Sequence, residues 1–203
     1  MNLELLDFRR RVAEAYAAYR HAHDPEQATR VFRLFRDKLF GSHPESALDS
    51  DQKQGFRGLP SYPYDPGFRI LAELRPTPNP GFLSLSLGDD GEATLRKVGM
   101  VEVALPTGTG TLDVFWIEGY GGGIFLPFGD ATNGKSTYGG GRYLLDTIKG
   151  ADLGSIGNGL VLDFNMAYNP SCAYNPRWVC PLAPPGNRFP FAVPVGEKYR
   201  GAD

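Results

Sequence analysis

Phe82-Leu83-Ser84-Leu85-Ser86-Leu87, followed by Gly88-Asp89-Asp90-Gly91, alternates apolar and polar residues strictly and then turns. A period of two puts the leucines on one face and the serines on the other, the pattern of a strand with one wet face. The Gly-Asp-Asp-Gly step predicts a hairpin turn into the next β-like run, 93–98. Working outward, similar short runs occupy 68–74, 100–105, 111–117, 123–128, 142–145, 160–165 and 189–195, with Thr107-Gly108-Thr109-Gly110 as a second hairpin turn. No long helical pattern separates them, so a parallel α/β sheet is not expected. The expected fold is α+β: mainly an antiparallel β barrel or sandwich with an N-terminal helical pair packed on it.

The first forty residues follow a different grammar. Leu5, Phe8, Val12, Ala15, Tyr16 and Tyr19 fall on one stripe, which predicts an amphipathic helix over 3–22. Asp24-Pro25-Glu26-Gln27 reads as a second helix start: an Asp cap, proline at the first helical position and Gln three residues after the cap. Ala28, Val31, Phe32, Phe35 and Leu39 continue the stripe, Arg36 and Lys38 suit the C-terminal dipole, and Gly41 stops the helix. Asp49-Ser50-Asp51-Gln52 caps one more helical turn, and prolines 60, 63 and 66 mark an extended linker. The expected division is a helical pair over 1–41 and a β-rich domain over 42–203.

The chain has 203 residues, 41% hydrophobic and 22% charged, with a formal net charge of −2. That balance argues against a polyanion-binding protein. Arg9-Arg10-Arg11 sits among Glu4, Asp7 and Glu14 and reads as a solvated helix face. No apolar run reaches the roughly 18 residues needed to span a bilayer, and Met1-Asn2-Leu3-Glu4 is no signal peptide, so the expected location is the cytoplasm. There the two cysteines, Cys172 and Cys180, are expected to be thiols, with a disulfide open to them in an oxidising environment. Their spacing is not that of a metal site.

Gly129-Asp130-Ala131-Thr132-Asn133-Gly134-Lys135-Ser136 satisfies the phosphate-loop pattern letter for letter. The mechanism needs a helix to start at the lysine, so that its amides face the phosphates. Thr137-Tyr138-Gly139-Gly140-Gly141 follows instead, and each glycine costs about 1 kcal/mol in a helix interior. The match is rejected. The glycines are assigned to tight turning and close backbone approach.

Residues 43–198 resemble a known family, the domain of unknown function 1684. The resemblance is carried by His43-Pro44, Phe56 with Gly58-Leu59, Pro63-Tyr64-Asp65, Leu126-Pro127-Phe128, Asp130-Ala131-Thr132 and 137–144. It is strongest in Leu162-Asp163-Phe164-Asn165, Ala167-Tyr168-Asn169-Pro170, Cys172-Ala173-Tyr174, Cys180-Pro181, Pro184-Pro185, Asn187-Arg188 and Gly196-Glu197-Lys198. Gly129, Ser171 and Gly186 depart from the pattern. The resemblance implies membership and no activity.

Polar residues crowd the same region. Alternation in 162–165 puts Asp163 and Asn165 on one face and Leu162 and Phe164 on the other. One reading is scaffold: Asx residues cap turns, and tyrosine hydroxyls tie loops to backbone. The other is a polar cavity for an anionic metabolite. In it, Asp130, Tyr138 and Asp163 are the catalytic candidates, two carboxyls to shuttle protons and a phenol to steady an oxyanion. Thr132, Arg142, Asn165, Tyr168 and Arg188 are the ligand-binding candidates, the arginines because a guanidinium grips an anion through two parallel bonds. Arg142 paired internally with Asp130 or Asp163 is the bland counterpart. Cys172 with His43 as its base is a further arrangement, without motif support. The expectation is a small-molecule enzyme using acid–base chemistry; its alternatives are a non-catalytic ligand-binding module or a Cys/His metal protein. No cofactor, nucleic-acid partner or membrane partner is expected.

Overall fold

α1 (Leu3–Arg20) and α2 (Pro25–Ser42) form the N-terminal pair in a computed structural model that describes residues 3–78, 80–86 and 91–199. The Asp24 side chain accepts from Gln27 N at 3.1 Å, with Pro25 at the first helical position. α2 runs one residue past Gly41 before His43 caps it. α3 (Ser50–Gln54) begins with a full capping box between Asp49 and Gln52. Among the described residues no helix is long and apolar enough to cross a membrane.

Among the described residues eight strands follow: β1 (Arg69–Pro76), β2 (Phe82–Ser86), β3 (Glu92–Leu105), β4 (Gly108–Ile117), β5 (Gly123–Phe128), β6 (Arg142–Asp146), β7 (Ser155–Ile156) and β8 (Gly159–Asp163). All pairings are antiparallel, in the open order β6-β5-β4-β3-β1-β8-β7, with β2 beside β3. The α+β class with an antiparallel sheet is therefore as expected, and the sheet does not close. Phe82 pairs with Arg96 and Ser86 with Glu92, the register of a hairpin; the turn expected at 88–91 lies outside the described residues except for Gly91. Leu83 and Leu85 pack against Leu95, Phe115, Phe125 and Tyr143, while Ser84 is exposed.

Two expected strands, 93–98 and 100–105, are one. β3 bends at a bulge between Lys97 and Gly99, where its pairing passes from β2 to β1. Gly99 is required there, because a Cβ would lie 2.5 Å from the Arg75 carbonyl oxygen. The expected strand over 189–195 does not form: the Val193 and Val195 carbonyls accept from the Arg142 guanidinium instead of joining a ladder. β8 stops at Asp163 because that side chain caps the next turn, accepting from Asn165 N at 2.9 Å.

Helices and sheet share one apolar core. Tyr16 and Phe32 of the helices join Val101, Leu112, Leu144 and Leu162 of the sheet in a continuous buried cluster.

Candidate functional site

β6 opens on Arg142, and every residue of that strand is buried. Phe128 is its register partner, and its ring centre lies 5.1 Å from the guanidinium carbon. The intervening loop returns Asp130 to the same spot, so that Arg142 Nη2 donates to Asp130 Oδ2 at 2.8 Å with both side chains at 0% exposure. Nη2 also donates to Val193 O at 2.8 Å; Nη1 donates to Val195 O and, at 3.3 Å, to Glu197 O. The other Asp130 oxygen accepts from Thr132 N at 2.8 Å, Thr132 Oγ1 at 2.5 Å and Val193 N at 3.3 Å. Asp130, Thr132 and Arg142 are thus brought together as an internal ion pair that pins the C-terminal segment to the sheet. Arg188 pairs through its backbone with Gly129, and its guanidinium donates to Ala183 O at 3.2 Å instead of joining the ion pair.

The phosphate-loop match falls in this loop. Gly134 has φ +73°, Lys135 and Ser136 lie in turns, and Thr137 bridges back to Asn133, so no helix receives a phosphate there. Lys135 is exposed. Lys135→Ala is expected to shift the melting temperature by less than about 2 °C and to leave any response to ATP in the same scan unchanged.

Asp163 sits at the end of β8 with 0% exposure. Tyr19 OH from α1 donates to its Oδ2, Asn165 N and Nδ2 each donate to Oδ1 at 2.9 Å, and Arg69 Nε stands 3.6 Å away. Burial raises the Asp163 carboxyl above its ordinary 3.8, and burial does the same to Asp146 at the end of β6. The native chain therefore binds these protons more readily than the unfolded chain. Their joint contribution to stability is fully present below the unfolded value, falls as pH rises from about 4 through the raised native values, and is lost above them. Urea unfolding between pH 4 and 8 checks this: Asp163→Asn is expected to flatten that decline relative to the wild type.

Glu197 forms a third buried centre. Arg36 Nη2 from α2 donates to Oε2 at 2.9 Å, Tyr174 OH donates to Oε1, and Asn169 Nδ2 donates to Oε1 at 3.2 Å. The Arg36 guanidinium carbon lies 4.8 Å from the Phe40 ring centre and 5.2 Å from that of Tyr168. Burial pulls the Arg36 guanidinium down, but Glu197 and the tyrosines around it more than reverse this, so it stays charged.

Tyr138 belongs elsewhere. Its hydroxyl donates to Cys172 Sγ at 3.6 Å, and Cys172 N donates to Cys180 Sγ at 3.3 Å. Burial and that thiol push the Tyr138 phenol up to about 12. His43 is not with Cys172: its ring faces Asp7 at 3.3 Å and accepts from Glu45 N at 3.1 Å, which corrects the Cys–His pairing. Among the described residues no three His, Cys, Asp or Glu side chains converge as a metal site would require.

The expected single cavity is thus divided among separate places, but two of its residues, Asn165 and Tyr168, do line a recess of the surface. That recess, of about 30 Å³, is lined by Arg33, Arg36, Ser61, Asn165, Tyr168 and Glu197. Another, of about 410 Å³, runs along α2 and is lined by Asp24, Glu26, Arg30, Arg33, Leu34 and Tyr64 among others. Arg33 belongs to both. Its Nη1 donates to Tyr62 O at 2.8 Å and its Nη2 to Asn165 O at 3.3 Å, and it forms no ion pair among the described residues.

Residues 54–198 match the family described as "Protein of unknown function (DUF1684)". The chain belongs to that family. The DUF1684 match includes Asp130, Arg142, Asp163 and Glu197, and leaves α1, α2 and the His43-Pro44 step outside it. A solution NMR structure of an uncharacterised protein from Haloarcula marismortui is similar, with 30% identity and a TM-score of 0.59 over 85% of this chain and 93% of that one. No curated protein matches the sequence.

Within this DUF1684 chain, Arg36 reads from the sequence as a helix-dipole residue, and no local motif marks Arg33. The only available signal was that both lie three residues apart on one helix face, beside the buried Phe32.

Proposed function

We propose that this protein binds a small carboxylate-bearing metabolite in the groove along α2, with Arg33 as the recognising cation, and does so without catalysing its turnover. Arg33 carries this reading. It is half-buried, burial lowers its pKa against the more distant charges of Asp163 and Glu197, and among the described residues no carboxylate stands at ion-pair distance from it. A partly desolvated guanidinium whose backbone contacts leave donors over gains more from an anion than an exposed one does. Arg30 stands one turn away on the same groove, and Tyr64 supplies an apolar wall with a polar tip. Asp24 and Glu26 at the other end disfavour a polyanion and suit a ligand that also bears an ammonium. Asp163 has both carboxylate oxygens engaged by Tyr19 and Asn165, which supports binding over acid–base turnover by that residue.

A thermal-shift panel of amino acids, hydroxy acids and dicarboxylates, with inorganic phosphate and nucleotides as comparators, tests the proposal. A ligand at a hundred times its dissociation constant stabilises by about 2.7 kcal/mol, or roughly 5–10 °C in a chain of this size. The expected result is such a shift with a carboxylate in the wild type, lost in Arg33→Lys and in Arg33→Gln. A shift that survives both variants, or silence across all carboxylates, overturns it.

A further inference from the structure

We propose that Cys172 and Cys180 form a thiol–disulfide exchange site, with Cys180 as the attacking thiolate, Cys172 as the resolving thiol, and a small-molecule disulfide of the glutathione type as the oxidant. The two sulfurs are placed together by structure on both sides. Cys172 lies in a single turn, Ser171–Ala173, entered from Pro170. Its N–H donates to Cys180 Sγ at 3.3 Å, which keeps that sulfur within about 4.8 Å of the Cys172 Cα. Cys180 is held from the other side by Pro181, whose carbonyl accepts from Tyr143 OH at 2.5 Å, and Tyr143 is itself wedged between the Phe125 and Tyr168 rings. Both thiols are free and half-buried, within reach of solvent.

Their surroundings separate the roles. The neighbouring Cys172 thiol, the backbone amides of Cys172 and Ser171, and the positive potential of the Lys149 ammonium together lower the Cys180 thiol to about 6. The Cys180 sulfur beside it, and burial, hold the Cys172 thiol well above the ordinary range despite the Tyr138 hydroxyl. Tyr138, Tyr143 and Lys149 are the other titratable groups that act on the pair among the described residues.

The reaction balances without a cofactor. Cys180 thiolate attacks one sulfur of the disulfide RSSR; its S–S bond breaks, RS⁻ leaves and a Cys180–S–S–R bond forms. Cys172 then gives up its proton, which the departing thiolates take up together with the one Cys180 had already released, and attacks Cys180 Sγ. The mixed disulfide breaks and a Cys172–Cys180 bond forms. The protein loses two electrons and two protons, and RSSR becomes two RSH.

The test uses the reduced full-length chain. Brief iodoacetamide labelling at pH 6, followed by tryptic mapping, is expected to modify Cys180 at least about tenfold faster than Cys172. Oxidised glutathione is expected to leave the wild type with an internal disulfide and no adduct, and to leave Cys172→Ser with one glutathione on Cys180, both read by intact mass. Equal labelling, preference for Cys172, or a wild type that ends with two adducts or unreacted thiols overturns the proposal. The site shares no residue with the α2 groove, so neither outcome bears on the carboxylate reading.

Discussion

Arg142→Ala is expected to lower the unfolding free energy by about 3–5 kcal/mol, the range for removing one partner of a buried ion pair. The variant leaves Asp130 as a shielded carboxylate with no cation, strips the Val195 carbonyl of its Arg142 donor, and leaves the Val193 carbonyl with the Val195 amide alone. None of these losses is repaired by water, because both side chains have 0% exposure. In urea unfolding this appears as a lower midpoint at unchanged slope, and in a thermal scan as a fall of roughly 10 °C. The double variant Arg142→Met, Asp130→Asn removes both charges and is expected to lose less than the two single variants combined, since the residues share one network. A single-variant loss below about 1 kcal/mol would mean that the pair is solvated, and would return Arg142 to the reach of an external anion.

What was legible in the sequence was local. Asp24-Pro25 and Asp49…Gln52 announce helix starts because a cap needs only residues three apart, and both caps form. Leu83 and Leu85 announce a strand because the pleat repeats every two residues, and both face the smaller apolar cluster. The failures were where a long-range partner decides. Residues 189–195 have strand-like composition, yet their carbonyls are claimed by Arg142, more than fifty positions earlier in the chain. The site suffered in the same way. Asp130, Asp163, Tyr138 and Arg188 were grouped because they are close in sequence and chemically apt, but each is engaged by different partners: Arg142, Tyr19, Cys172 and Ala183. Composition shows that polar residues are present; it does not show which of them satisfy one another inside.

Glu197→Ala is expected to cost a further large amount, about 3–5 kcal/mol, and it tests how the helical pair is attached. Arg36 is on α2, outside the family match, whereas Glu197 lies next to its end at residue 198. Their contact at 2.9 Å spans 161 positions of sequence, with side chains at 15% and 6% exposure. Removing the carboxylate strands the Arg36 guanidinium between Phe40 and Tyr168, and leaves the Tyr174 hydroxyl and Asn169 amide without their acceptor. Glu197→Gln keeps an acceptor for Tyr174 and is expected to cost less. A cycle with Arg36→Met separates the pair from its neighbours: coupling of about 1–3 kcal/mol is expected, measured by urea unfolding. If the single losses simply add, the helices are held by their other contacts, the apolar ones of Tyr16, Tyr19 and Phe32 and the hydrogen bonds of Tyr19 and Arg33, and the polar centre at Glu197 serves only the C-terminal segment.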